Sequence, residues 1–148
     1  MDAHLFGFLE RVHGHLAVLG LVVLIHPVIS LRRPGHLRRG TWWTVGVGVA
    51  LLVPAAALGL GLYPSWRAQV KPELVQHALG VALAFEVKEH LAWFSVVCAA
   101  AGLGVLLTSG SLSGGRSLAR WLLGAAVSCG AIAAGLGIWI AGAAWPAW

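Results

Sequence analysis

Apolar residues in this chain fall into four long runs separated by short clusters of charge. No Asp, Glu, Lys or Arg occurs in 12–31, 41–66, 91–115 or 121–148. A helix that crosses the hydrocarbon of a bilayer needs roughly 20 apolar residues, and each run supplies them. The pattern predicts an all-α integral membrane four-helix bundle, one domain over 1–148, with spans near 12–31, 41–64, 89–108 and 121–144.

The edges of the runs sharpen this picture. Trp42 and Trp43 open the second span, and Tyr63 and Trp66 close it, as amphipathic rings do at lipid–water boundaries. Before the first span, Leu5, Phe6, Leu9 and Val12 share one side of an amphipathic segment expected to lie at the interface. From residue 71 to 107 the chain reads as helical throughout, about 54 Å at 1.5 Å per residue, against a hydrocarbon thickness of about 30 Å. An extra outer-side helix over 73–89 is therefore expected ahead of the third span. The fourth span carries no ionisable group except Cys129, and its Gly124, Ser128, Gly130, Ala134 and Gly135 suit close packing.

Composition excludes some classes. Only 10% of residues are charged and 59% are hydrophobic, whereas a soluble domain carries about 25% charged residues. Four spans leave no length for a soluble catalytic domain. The net charge of +5 does not indicate nucleic acid, because the arginines flank the spans and form no separate basic face. They report topology instead. Arg32, Arg33, Arg38, Arg39, Arg116 and Arg120 lie on one side, and Arg11, Arg67, Lys71 and Lys88 on the other. The excess belongs inside, which places both termini on the outer side of a bacterial inner membrane. The opening residues lack the basic start of a cleaved signal, so the first span is read as retained. Cys98 and Cys129, each within an apolar run, are read as packing residues.

The chemistry rests on histidine. All seven fall in the first 90 residues, and ionisable groups within spans mark function by default. Aligning the inner ends of the first and third spans puts His13 and His15 level with His90, where Glu10, Arg11, Glu86, Lys88 and Glu89 also gather. Helical spacing places Glu10 beside His13, Arg11 beside His15, and Glu86 beside Glu89 and His90. Facing imidazoles of this kind hold haem iron in helical bundles. His13 or His15 with His90 is thus expected to ligate haem b, with Arg11 or Lys88 on a propionate. The same His13, His15 and His90 with Glu86 or Glu89 would suit copper or another transition metal. His26 shares a face with His15 and marks a deeper candidate site. A two-haem arrangement pairing 13 with 26 and 77 with 90 is rejected, since 13 helical residues turn the two rings about 140° apart. His4 and His36 are read as solvated.

The segment Phe8-Leu9-Glu10-Arg11-Val12-His13-Gly14-His15, then Pro54 with Gly59-Leu60-Gly61, and Lys88-Glu89-His90-Leu91 resemble small bacterial membrane proteins of the copper-resistance D-type and the membrane protoporphyrinogen oxidase kind. The resemblance covers most of the chain and implies a four-helix membrane fold. It further implies a haem or metal site using His13 on the first helix and Lys88 or His90 on the third. His15 and the segment 72–87 depart from that pattern.

Three functions follow as expectations, and the residues name no reaction for any of them. The first is a small haem protein passing electrons to or from a quinone or a partner protein. The second is a copper or other metal handling protein. The third is an accessory subunit of a larger membrane complex or a homo-oligomer.

Overall fold

A computed structural model describes residues 3–33, 38–109 and 112–144. Among these the chain forms five helices: α1 (Ala3–Ser30), α2 (Arg39–Gln69), α3 (Lys71–His77), α4 (Leu79–Ser109) and α5 (Ser113–Ala144). α1, α2, α4 and α5 are each long and apolar enough to cross a membrane. They run 28, 31, 31 and 32 residues, so each is about 42–48 Å long.

The helices overrun the expected spans at one end of the bundle. α1 begins at Ala3, so the amphipathic residues 5–10 continue the first span in place of a separate interfacial segment. The helical segment expected over 73–89 is divided differently. α3 takes only Lys71–His77, started by Pro72 and by Glu73 in its first turn, both of which suit a helix N-terminus. The chain breaks at Ala78 (φ −148°, ψ 58°), and residues 79–89 belong to the same unbroken helix as the third span. No proline interrupts 79–109, and adding a residue to an existing helix is cheaper than nucleating a new one.

The four long helices pack as two antiparallel hairpins, α1 with α2 and α4 with α5, joined through α1 against α5 and α2 against α4. α1 and α4 therefore stand at diagonal corners. Both helix termini of the chain, the α2–α3–α4 connection and α3 itself lie at what we call the terminal end. The opposite, arginine end holds the connections from α1 to α2 and from α4 to α5.

Two apolar cores occupy the two halves. Toward the arginine end, Leu21, Leu24, Leu31, Val45, Leu52, Cys98, Ala99, Leu106, Ala119, Leu123 and Ala126 form one cluster. Toward the terminal end, Phe6, Leu62, Trp66, Val70, Leu74, Val81, Ala82, Phe85 and Ile140 form the other, with Trp66 and Phe85 stacked at 3.4 Å between ring centroids.

Missing side chains let α1 and α2 touch along their backbones. A Cβ at Gly20 would lie 3.2 Å from the Gly48 carbonyl oxygen, and one at Gly48 would lie 2.6 Å from Leu24 Cγ. Leu24 is 0% exposed, so it has nowhere to retreat. Between α4 and α5 the Ser95 hydroxyl donates to the Ala126 carbonyl at 2.7 Å in a buried crossing. Gly48→Val should lower the stability of the purified protein by about 1–3 kcal/mol. Gly46→Val, at a position with open space around the added carbon, should leave the thermal midpoint in detergent nearly unchanged.

Candidate functional site

The α4 face turned into the bundle carries Val81, Ala82 and Phe85 at the terminal end and Ser95, Cys98 and Ala99 beyond. Helical periodicity puts 88, 89 and 92 on that same face, and two of these are Lys88 and Glu89. Their side chains are 17% and 25% exposed, and Nζ stands 3.1 Å from Oε1. The ammonium also lies 4.4 Å from the Phe85 ring centroid, a cation–π distance. Its stem passes Gly137 on α5, where a Cβ would be 3.7 Å from Lys88 Cδ. A charged layer thus separates the two apolar cores.

His13 joins this layer from α1. Its Nδ1 is 2.7 Å from the Ala55 carbonyl on α2, and a carbonyl can only accept, so Nδ1 carries a proton and, in the neutral ring, Nε2 keeps its lone pair. The ring lies against bare backbone, because a Cβ at Gly59 would fall 2.9 Å from His13 Cε1. His15 and His90 use Nδ1 in the same way, at 2.7 Å, toward the Arg11 and Glu86 carbonyls one turn back on their own helices.

Depth and direction come apart here. α1 and α4 run parallel, and Leu21 and Ser95 both border Gly130 of α5, which sets Gly14 level with Lys88. His13, His15 and His90 therefore share a level, as the sequence alignment required. They do not share a space. His13 faces α2, whereas His15 and His90 are exposed on helices at diagonal corners. Two of the carboxylates expected beside the imidazoles pair with lysines, Glu86 with Lys71 and Glu89 with Lys88, and Glu10 is exposed. Arg11 is exposed, its Nε donating to the Gly7 carbonyl at 3.0 Å. Among the described residues no group of three or more His, Cys, Asp or Glu is arranged to hold a metal ion.

His26 sits apart in the arginine half, bonded to Thr44 and Ser30. His77 is exposed at the end of α3. His4 is exposed on the first turn of α1, and His36 lies outside the described residues.

What the fold does assemble is a cleft of about 230 Å³ between α2 and α4, lined by Leu60, Tyr63, Glu86, Glu89, His90 and Trp93. Leu60, His90 and Trp93 are exposed, so the cleft opens sideways onto the apolar flank of the bundle. Three of its residues carried a candidate role in the sequence. Tyr63 read there only as a boundary aromatic and Leu60 only as part of the Gly59-Leu60-Gly61 resemblance, and Trp93 had no role in the site.

The cleft is close to electrically neutral, since Lys71 and Lys88 balance its two carboxylates. Lys88→Met leaves Glu89 unpaired in a half-buried position and should cost about 1–3 kcal/mol of stability. The double variant Lys88→Met/Glu89→Gln should recover most of that loss in a thermal melt, because no lone charge remains.

Comparison with protein-family models, with curated proteins and with solved structures returns no match.

Proposed function

We propose that this chain is a multi-pass protein of a bacterial inner membrane whose α2–α4 cleft binds the ring of a quinone-type electron carrier. Four helices apolar enough to span support the membrane placement. The six arginines at one end against four basic residues at the other support a cytoplasmic arginine end, with the cleft and both termini toward the outer side.

The observation that carries the functional reading is the make-up of the cleft. Trp93 and Leu60 offer apolar walls, while Tyr63 and His90 supply complementary polar groups. The Tyr63 hydroxyl can donate to a quinone carbonyl. His90, with Nδ1–H committed to the Glu86 carbonyl, presents Nε2 as an acceptor for a quinol hydroxyl. Near-neutrality favours an uncharged ring over a cation. At about 230 Å³ the cleft is smaller than the roughly 300–1,000 Å³ of sites that enclose a whole ligand, so it takes a headgroup and leaves an apolar tail along the flank.

Haem b shared between α1 and α4 does not fit this arrangement, because His13 turns to the Ala55 carbonyl of α2 while His15 and His90 are exposed on helices at diagonal corners. A second reading keeps a single haem ligand at His13, favoured by the Ala55 carbonyl that fixes its tautomer and frees Nε2. It is also the α1 position to which the family resemblance points.

Titration of the detergent-purified protein with a short-tailed ubiquinone, followed calorimetrically, should give saturable binding. His90→Ala and Tyr63→Phe should each weaken it about tenfold, or about 1.4 kcal/mol, and His15→Ala should not. Binding that fails to saturate, or that both variants leave intact, contradicts the cleft. For the second reading, protein expressed with haem supplied should show a Soret band that His13→Ala abolishes and His90→Ala retains. A colourless protein removes it.

A further inference from the structure

Charge is sorted along the bundle axis. Among the described residues all four carboxylates, Glu10, Glu73, Glu86 and Glu89, lie toward the terminal end, while the arginine end has six arginines and no carboxylate. Helix dipoles add to the imbalance, because α2 and α5 both begin there and present positive N-termini. Neither has an acidic residue in its first turn, and α2 has no side-chain cap on its amides. Arg38 and Arg39 instead stand at the start of α2. Arg116 donates to the Arg33 carbonyl, which fastens α5 to the end of α1. Positive charge has thus collected where the backbone is already positive.

Just inside this end, a polar notch interrupts the apolar face formed by α1 and α2. Thr44 Oγ1 donates to the Thr41 carbonyl at 3.0 Å, so it accepts from His26 Nδ1–H at 3.1 Å. Nε2 then accepts from the Ser30 hydroxyl, also at 3.1 Å. The notch is exposed at His26, with exposed Ile25 and Ile29 beside it.

We infer that this face seats an anionic phospholipid. Its phosphodiester would meet Arg32, Arg33, Arg38 and Arg39, an ester oxygen would take the Ser30 hydroxyl proton that His26 Nε2 otherwise accepts, and its chains would follow the apolar surface deeper along α1. Charge, then hydrogen-bonding groups, then hydrocarbon follow one another along the helix axis in the order that a phospholipid presents them. Guanidinium forks match phosphate oxygens in geometry as well as charge. The inference rests on the membrane placement above and is independent of the cleft.

Thermal melts of the protein in nanodiscs test it. A lipid that binds only the folded state raises the midpoint, so one-third phosphatidylglycerol in phosphatidylcholine should raise it by several degrees over phosphatidylcholine alone. Arg38→Gln/Arg39→Gln should at least halve the rise. His26→Leu, which leaves every arginine in place, should reduce it too and so distinguishes a seated lipid from bulk surface charge. Equal midpoints in the two lipids would overturn the inference, as would a full rise in either variant. Inorganic phosphate added to phosphatidylcholine nanodiscs should have no effect. A rise equal to that of phosphatidylglycerol would assign the site to a soluble anion and overturn the lipid. A wild type that melts normally in phosphatidylcholine shows that the membrane placement stands even if the lipid site does not.

Discussion

A lysine and a glutamate on the core-facing stripe of α4 govern how the rest of the bundle is built. Charged groups on an apolar interface are tolerated only when paired, and Lys88 and Glu89 meet that condition with each other at 3.1 Å. The pair needs help from three sides. Phe85 supplies a ring face for the ammonium, Gly137 leaves room for the lysine stem, and the terminal-end core caps the layer with Trp66 and Phe85. Glu86, about one helical turn before Glu89 and lining the cleft toward α2, takes Lys71 from the start of α3. The short α3 helix is thereby tied to α4 through an ion pair as well as through buried Leu74.

This arrangement explains why the cleft lies where it does. The charges of Glu86 and Glu89 are spoken for on the lysine side, so between α2 and α4 they contribute polarity without net charge. Tyr63 and His90 then set the hydrogen-bonding character of the opening, and Trp93 and Leu60 its walls. In the proposed membrane placement, a lateral opening on an apolar flank can be entered from the lipid. That access favours a membrane-soluble ring over the metal ion that the same histidines and glutamates suggest when read as a one-dimensional pattern.

Much of the fold was legible because transbilayer helices announce themselves through charge-free length. The run 121–148 gave α5 to its end but missed its first eight residues, and 41–66 gave the body of α2. The terminal-end extensions were not legible in the same way. Residues 5–10 and 79–89 mix charged and apolar positions, a pattern shared by interfacial helices and by spans that continue past the hydrocarbon. Only packing against Leu62, Trp66 and Ile140 decides between them. The site divides along a similar line. Counting residues along parallel helices correctly put His13, His15 and His90 at one level. Azimuth depends on which helices are neighbours, and the pairing of α1 with α5 and of α2 with α4 is not written in any local spacing. With α1 and α4 diagonal, an imidazole on one faces α2 while that on the other faces outward. Tyr63 entered the site for the same reason: its role depends on the neighbour that α2 acquires.

Occupation of the cleft between α2 and α4 by a quinone ring can be read out by photolabelling. A short-tailed azidoquinone, irradiated with the membrane-embedded protein and mapped by mass spectrometry, should modify peptides containing Tyr63 or Glu86–Trp93, and excess unlabelled quinone should suppress the label. Labelling confined to other helices, or label that excess quinone does not displace, would contradict the account.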